Sequence, residues 1–195
     1  MRNKTMLLEK LNLFMNNRIV PDLETERLKL VPLGLMHLSN DYVNWMNDND
    51  VNKYLESGGN YTIEKLYEYL YQVELDNILF WAIHIKENNK HIGNIKIAPI
   101  NIKHNYAEFG IMMGDKSEWG KGYANEASIE VIKYCFNSEL NLRKVNLGVC
   151  AKNIAAIRLY KKIGFINEGR FIKHVLSFDG YDDILRMAIF NPNYG

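Results

Sequence analysis

The sequence predicts an α+β fold of three layers, in which helices flank a central, mixed but mostly antiparallel sheet. The chain has 195 residues, of which 47% are hydrophobic and 24% charged, as expected for one globular domain with a sizeable core. Stretches of alternating apolar residues and stretches of helical periodicity follow one another in the order β, αα, βββ, α, β, α, ββ. Short connections within the βββ stretch favour an antiparallel meander.

The first half of the chain is predicted to add an N-terminal helix to the domain. Residues 1–17 show the apolar spacing of an amphipathic helix, so we assign residues 1–22 to an extension and residues 23–195 to the domain. The patterns that follow predict, in order, a strand over 27–31, helices over 35–46 and 63–73, and strands over 80–86, 92–98 and 106–113.

The second half is predicted to alternate helices and strands before a final hairpin. Residues 122–137 repeat small and apolar residues every three or four positions, which predicts a helix. A strand around residues 145–149 follows, and then a helix with Asn153 as its N-cap and Gly164 just after its end. The dipeptide Asp179 and Gly180 favours a tight turn between strands over 171–178 and 181–190.

Composition excludes several classes of function. A net charge of +1 argues against nucleic-acid binding by phosphate neutralisation. No apolar run approaches the roughly 18 residues of a membrane span, and the N-terminus lacks the pattern of a signal peptide. The two cysteines form no CxxC pair, so we expect a reducing, cytoplasmic location. We expect no metal site, because metal-ligand spacing is absent among His84, His91, His104 and His174.

The charges are distributed unevenly along the chain. Residues 41–76 contain eight acidic and two basic residues, a local net charge of −6, whereas residues 115–173 contain eleven basic and six acidic residues, a net of +5. If the fold places these segments on opposite sides of a cleft, a cationic ligand favours the first and an anionic ligand the second. The alternative is that both are ordinary solvated faces.

A glycine-containing segment with the sequence SEWGKGYA precedes the predicted helix over 122–137. Gly120 and Gly122 allow backbone N–H groups to turn towards a ligand, and the helix N-terminus adds partial positive charge, a combination that binds phosphate. The P-loop pattern fails because Lys121 is followed by glycine, and the dinucleotide pattern fails because Asn125 replaces its third glycine. A turn that binds no ligand is the alternative.

Residues 119–124 and 153–165 together resemble the two acetyl-CoA-binding motifs of the GNAT superfamily of N-acetyltransferases. In that superfamily, [RQ]xxGx[GA] is followed about thirty residues later by Nxx(A)…YxxxGF. Gly122 and Ala124 match the first motif, and Trp119 replaces the usual Arg or Gln, as is frequent in the branch resembling ribosomal-protein N-terminal acetyltransferases. The resemblance spans about residues 24–190. It implies a GNAT-like sheet, acetyl-CoA as acyl donor and attack by a primary amine in a ternary complex.

The resemblance also implies roles for particular residues. Tyr160 would donate a proton to the departing thiolate, unless it is only a core aromatic. Glu108 would be the general base, acting directly or through water, with Glu56, Asp179 and Asp182 as weaker candidates. The alternative is that Glu108 only faces solvent and that water and backbone carbonyls take the proton. The residues assigned to acetyl-CoA binding are Ile111, Met112, Met113, Trp119, Gly120, Lys121, Gly122, Tyr123, Ala124, Asn153, Tyr160 and Lys162.

The identity of the acceptor amine stays open at this point among three classes. The acidic stretch over 41–76 and the ending over 179–187 favour a polyamine, whereas residues 45–48, 91–96 and 114–120 look like those of bacterial enzymes acting on nucleotide-linked amino sugars. A protein N-terminus is the third class. We expect the acceptor groove to be lined by Trp45, Tyr54, Tyr61, Trp81 and Tyr181. The resemblance further implies a homodimer, and a catalytically degenerate acyl-CoA-binding or protein-interaction domain is the alternative function.

Overall fold

A computed structural model describes residues 20–55, 59–76, 78–177 and 180–194. Over these residues eight strands form one sheet in the order β1-β2-β3-β4-β5-β6-β8-β7. The strands are β1 Leu23–Glu24, β2 Leu28–Pro32, β3 Leu79–Ile85, β4 Lys90–Asn101, β5 Tyr106–Met113, β6 Lys144–Cys150, β7 Ile166–Ser177 and β8 Gly180–Phe190. Neighbouring strands are antiparallel except for β5 and β6. The predicted α+β class and the antiparallel meander of β3, β4 and β5 are confirmed.

Helices cover both faces of the sheet. They are α1 Asn40–Asn47, α2 Asn49–Asn52, α3 Ile63–Asp76, α4 Tyr123–Asn137 and α5 Ile154–Ile163, with short 3₁₀ turns at Leu35–His37 and Lys116–Glu118. In β3, Trp81 and Ile83 face the core cluster under α4 and α5, whereas Phe80 and Ala82 face the cluster under α1 and α3. The sheet is therefore the middle of three layers. No helix in the described ranges is long and apolar enough to cross a membrane.

Two predicted element boundaries are wrong, for local reasons. The predicted helix over 35–46 is interrupted, because Ser39 caps a new helix by accepting a hydrogen bond from the Tyr42 N–H at 3.2 Å. Strand β7 starts at Ile166 rather than at 171, because its pairing with β8 extends to Ile166 and Ala188. The side chains over this added length are mostly exposed, so no alternation announces it. The predicted N-terminal helix and turn residue Asp179 lie outside the described residues.

The parallel pair β5 and β6 separates soon after it forms. Its ladder has the pairs Tyr106 with Lys144, Ala107 with Val145 and Glu108 with Asn146, and the described pairing ends there. Strand β6 nevertheless stays paired with β8 over its whole length, and β5 stays paired with β4 up to Met113. The sheet is thus split between residues 109–113 and residues 147–150. We call this opening the β5–β6 wedge.

Three histidines pack together between the first 3₁₀ turn and strands β3 and β4. The ring centroids lie 5.4 Å apart for His37 and His84, and 5.1 Å apart both for His37 and His91 and for His84 and His91. Antiparallel pairing of β3 and β4 places His84 and His91 side by side. Within the described part of the chain, no three His, Cys, Asp or Glu side chains are arranged to hold a metal ion.

Burial favours the neutral form of two of these histidines, His37 and His91. It lowers the pKa of His91 from 6.5 to about 4 and also lowers the pKa of His37. The Nε2 atoms of His37 and His84 are buried without a hydrogen-bond partner in the described structure. Protonation would therefore place positive charges next to one another in an apolar layer, with Glu74 as the acidic side chain that acts on His37.

Stability is predicted to fall as the pH drops from about 6.5 towards 4, because the unfolded chain binds protons there that the folded chain does not. With a folded pKa of about 4, His91 alone accounts for a loss of about 2 kcal/mol between pH 7.5 and about pH 5. Urea unfolding at both pH values measures it. His91→Gln should reduce the loss by that amount, whereas His104→Gln, at an exposed position, should leave it unchanged. An equal loss in both variants would contradict the assignment.

Candidate active site

The loop before α4 exposes backbone N–H groups. Gly120 and Gly122 have φ angles of 77° and 87°, in the left-handed region that favours glycine. A Cβ at Gly120 would meet nothing within 4 Å, so this side of the loop is open. Gly122 is the N-cap of α4 and supplies no side-chain hydrogen bond, and the first N–H groups of a helix have no intrahelical acceptor. The loop is thus suited to hold an anion such as a diphosphate.

Side-chain cations around this loop are already paired with carboxylates. Lys121 Nζ lies 2.7 Å from Glu118 Oε2, and Lys90 Nζ lies 2.6 Å from Asp115 Oδ2. Because these charges are neutralised locally, the N–H groups and the helix N-terminus supply most of the attraction for an anion. The backbone therefore supplies the main anion-binding groups of this loop.

Trp119 makes a hydrogen bond to β5 that the sequence motif does not predict. Its indole N–H donates to the carbonyl oxygen of Met113 at 2.9 Å, which ties the loop to the end of β5. The side chain is 44% exposed beside the loop. Where the usual motif carries Arg or Gln, this chain has an indole that links the anion-binding loop to the β5–β6 wedge.

The wedge-facing backbone of β5 can be identified from the pairing with β4. The N–H of Gly114 donates to the Ile92 carbonyl of β4 at 2.9 Å. The Met112 carbonyl also points towards β4, where it lies against Gly93. Backbone groups of successive residues point to opposite edges of a strand. Met113 and Ile111 therefore turn their N–H and C=O groups towards the wedge, and Met112 does not.

Tyr160 lies at the base of the wedge. It is 7% exposed, and its ring meets Phe109 edge-on at 5.9 Å between centroids. Phe109 is the first residue of β5 beyond the paired segment. In the described structure, the Tyr160 hydroxyl is not a buried polar atom without a hydrogen-bond partner. Tyr160 is thus both a core aromatic and a residue at the wall of the opening.

Burial raises the pKa of Tyr160 to about 12, so the phenol stays protonated at physiological pH. A thiol has a pKa of about 8.5, so complete proton transfer from such a phenol to a thiolate would be uphill by about 3.5 pKa units. Hydrogen-bond donation to a developing thiolate has no such cost. Burial therefore favours a Tyr160 that donates a hydrogen bond to the leaving sulfur. The proton itself would reach the sulfur late in the reaction or come from solvent.

Glu108 occupies the last paired position of β5 and faces away from Tyr160. Its Oε1 accepts a hydrogen bond from Arg186 Nη1 at 2.9 Å, and its side chain is 38% exposed. Phe109 points into the cluster under α4 and α5, so its neighbour Glu108 points to the opposite face of the sheet. The two catalytic candidates lie on opposite faces of β5, with the wedge between them.

Asn153 makes a structural hydrogen bond, whereas Lys162 is exposed. The Asn153 side chain accepts from the Ala156 N–H at 3.1 Å and caps α5, so its oxygen already has a structural role. Lys162 is exposed in the last turn of α5. The alternative bases Glu56 and Asp179 lie outside the described residues.

Asp182 is 7% exposed and accepts hydrogen bonds from the Cys150 thiol at 2.5 Å and from the Asp183 N–H at 2.8 Å. The thiol hydrogen bond lowers the pKa of Asp182, so the carboxylate is ionised. This pairing brings the end of β6 next to β8 and was not found from the sequence, because a lone cysteine and a distant aspartate carry no spacing signal.

The aromatic residues expected in the acceptor groove differ in burial and contacts, and Tyr61 lines the depression described below. Trp81 is fully buried and donates its indole N–H to the Pro21 carbonyl at 2.7 Å, so its assignment to the groove is wrong. Trp45 packs on His91 at 4.9 Å between centroids. Tyr54 is 38% exposed and its hydroxyl donates to the Lys152 carbonyl at 3.3 Å, and Tyr181 is 67% exposed.

An open depression of about 540 Å³ is lined by residues from the acidic stretch over 41–76. Its lining is polar, and none of the lining residues belongs to the anion-binding loop or to α5. It therefore does not mark the place of the acyl donor. The described residues that line it are Asn47, Asn49, Asn52, Gly59, Asn60, Tyr61 and Thr62.

Comparison with known proteins identifies the family. Residues 27–166 match the acetyltransferase (GNAT) domain family. Spermidine N(1)-acetyltransferase of Escherichia coli strain K12 is 32% identical over 142 residues, which cover 69% of this chain and 74% of that enzyme. The Vibrio cholerae enzyme of the same name is 34% identical over 103 residues, 53% of this chain and 58% of that enzyme, so this match spans little more than half of that relative.

A solved structure agrees with these matches. The crystal structure of spermidine N-acetyltransferase from Vibrio cholerae in complex with CoA and spermine superimposes with a TM-score of 0.78 and 27% identity, covering 87% of this chain and 99% of that chain. The chain belongs to the GNAT family of acetyltransferases. The reaction class predicted from the sequence, N-acetyl transfer with acetyl-CoA as donor, is thereby confirmed.

Gly122→Val is expected to weaken CoA binding at least about 10-fold, because a β-branched residue disfavours the left-handed conformation at the N-cap of α4. Isothermal titration with CoA measures the effect. Gly59→Val is a matched control, since Gly59 has a φ of 88° and open space around it but lies outside the loop. Equal affinities of the two variants for CoA would remove the loop from consideration as the diphosphate site.

Proposed function

We propose that this enzyme acetylates a primary amine of a polyamine. The observation that carries the proposal is the net charge of −6 over residues 41–76, whose described helices α1 and α3 pack on the same face of the sheet as the Glu108 side chain. A flexible polycation would be attracted to this segment. The names of the E. coli and V. cholerae relatives, both spermidine N(1)-acetyltransferases, support the same acceptor class.

We propose that the donor lies across the loop and the wedge. The N–H groups of residues 120–124 would hold the diphosphate, with Trp119, Lys121, Tyr123 and Lys162 beside it and Asn153 at the start of α5. The wedge would take the pantetheine arm, where the N–H groups of Ile111 and Met113 face the thioester and Met112 supplies packing. Acetyl-CoA brings the activated acyl group; the chain supplies position and hydrogen bonds.

In this arrangement the amine approaches from the Glu108 face and the thiol leaves on the Tyr160 face. Glu108 would accept the amine proton directly or through water, in competition with its ion pair to Arg186. A backbone N–H at the wedge would stabilise the oxyanion, and Tyr160 would donate a hydrogen bond to the departing sulfur. Asp182, ionised and close to the end of β6, is the alternative acidic group.

Three further features belong to the proposal. Cytoplasmic location is supported by two free, buried cysteines, Cys135 and Cys150, in the described structure. The homodimer that the family resemblance implies is kept as part of the proposal. The division into an extension over 1–22 and a domain over 23–195 is kept, although Val20 already packs against the core.

An acceptor panel tests the proposed function. Free-thiol release from acetyl-CoA is measured with spermidine and spermine, with peptides carrying free N-termini and with amino-sugar nucleotides. We expect kcat/KM for the polyamines to exceed the others at least about 10-fold and to fall as salt is raised, because exposed carboxylates attract the acceptor. Preference for an amino-sugar nucleotide would reassign the acceptor. CoA binding without turnover on any amine would favour the degenerate domain.

Tyr160→Phe is expected to lower kcat about 10²-fold while leaving the CoA dissociation constant nearly unchanged, because only the hydrogen bond to the leaving sulfur is lost. Single-turnover rates with spermidine measure it. Tyr69→Phe serves as control, since Tyr69 is another phenol whose pKa burial raises to about 12, and it lies on α3. A Tyr160→Phe rate equal to that of the control would assign the proton to solvent.

A further inference from the structure

Arg27, in the turn between β1 and β2, contacts the anion-binding loop from outside both sequence motifs. Its Nη1 donates to the carbonyl oxygen of Lys121 at 3.0 Å. Its guanidinium carbon lies 4.5 Å from the centroid of the Tyr123 ring, over the face of the ring. One side chain thus touches the loop on both sides of Gly122.

Glu126, in the first turn of α4, fixes Arg27 in this position. Its Oε2 lies 2.6 Å from Arg27 Nη2 and accepts from Arg27 Nε at 2.7 Å, which is a two-pronged contact. Its Oε1 accepts from the Arg27 N–H at 2.9 Å and from Thr25 Oγ1 at 2.5 Å. Burial alone would raise the pKa of Glu126, but the hydrogen bonds from Thr25 and Arg27 outweigh it and lower the pKa.

The contact with Lys121 determines which way one peptide group of the loop points. In a planar trans peptide, the carbonyl of one residue and the N–H of the next point in opposite directions. When Arg27 holds the Lys121 carbonyl, the N–H of Gly122 turns away from Arg27. The Lys121 carbonyl, which would repel a phosphate, is thereby held on the side of the loop that faces Arg27. The contact matters because the left-handed glycines Gly120 and Gly122 would otherwise leave this peptide free to rotate.

We propose that Arg27 is a positioning residue for the diphosphate of CoA, acting through the Lys121 peptide and not by direct contact. Its charge is matched by Glu126 at 2.6 Å, so it contributes little net attraction for an anion. The inference rests on the proposed binding of the diphosphate at residues 120–124. It adds a residue from the β1–β2 turn to a site otherwise built from the two motifs.

The test compares donors with and without the diphosphate. Arg27→Gln should raise the CoA dissociation constant by isothermal titration, and the KM for acetyl-CoA, about 10-fold, while kcat with spermidine changes less than about 2-fold. Its kcat/KM with S-acetylpantetheine, which has no diphosphate, should equal that of the wild type. Arg27→Lys, whose single ammonium lacks the planar fork, should show a smaller loss of about 3-fold.

Lys29→Gln is the matched control, because Lys29 lies on β2 two residues after Arg27 and pairs with Asp22 at 3.1 Å without touching the loop. An Arg27→Gln variant that binds CoA as tightly as this control would overturn the inference. So would an equal loss with both donors, which would mean a purely structural role. If the wild type gains nothing from the diphosphate, using both donors equally well, the proposed binding loop itself is refuted.

Discussion

The arrangement of this site depends on the early separation of two parallel strands. Strands β5 and β6 pair only as far as Glu108 and Asn146, and β4 and β8 then hold them apart. A sheet normally satisfies its backbone groups internally, so the split leaves N–H and C=O groups of β5 facing an opening. Phe109 and Tyr160 pack at its base and Trp119 links its rim to the anion-binding loop, so the wedge connects the proposed donor contacts.

In the proposed donor site, backbone geometry would contribute more to binding the acyl donor than side-chain charge. Lys90 and Lys121 near the loop already have carboxylate partners, and Arg27 is matched by Glu126. These pairs give little net charge, but they fix the direction of carbonyl and N–H groups. Fixed dipoles bind an anion without reorganisation, whereas long flexible cations must first be ordered. On the other face, Lys116 pairs with Asp48 and Asp50, and the acidic segment over 41–76 still keeps a net negative charge that would attract a cationic acceptor.

Sequence periodicity predicted the elements whose two faces differ. The helix over 122–137 and the helix that ends just before Gly164 were recognisable because their buried residues recur every three or four positions and their end signals are local. Strands β3 and β4 are largely buried on both faces and were recognisable as short apolar runs bounded by turn residues. The boundaries failed where this signal is absent. Exposed residues at the start of β7 show no alternation, and the cap at Ser39 divides a segment whose apolar spacing continues through it. Trp81 was wrongly placed in the acceptor groove because aromatic content does not reveal which face is buried.

The sequence by itself determined the family motifs, the order of elements and the class of reaction, since glycines, caps and helical spacing act over a few residues. Only the tertiary structure decided which distant groups meet. Arg186 reaches Glu108 across 78 positions, and the backbone N–H of Arg27 reaches Glu126 across 99. His84 and His91 became neighbours through strand register. Such contacts depend on how the sheet is ordered and where it splits, and the spacing of residues along a chain carries no record of either.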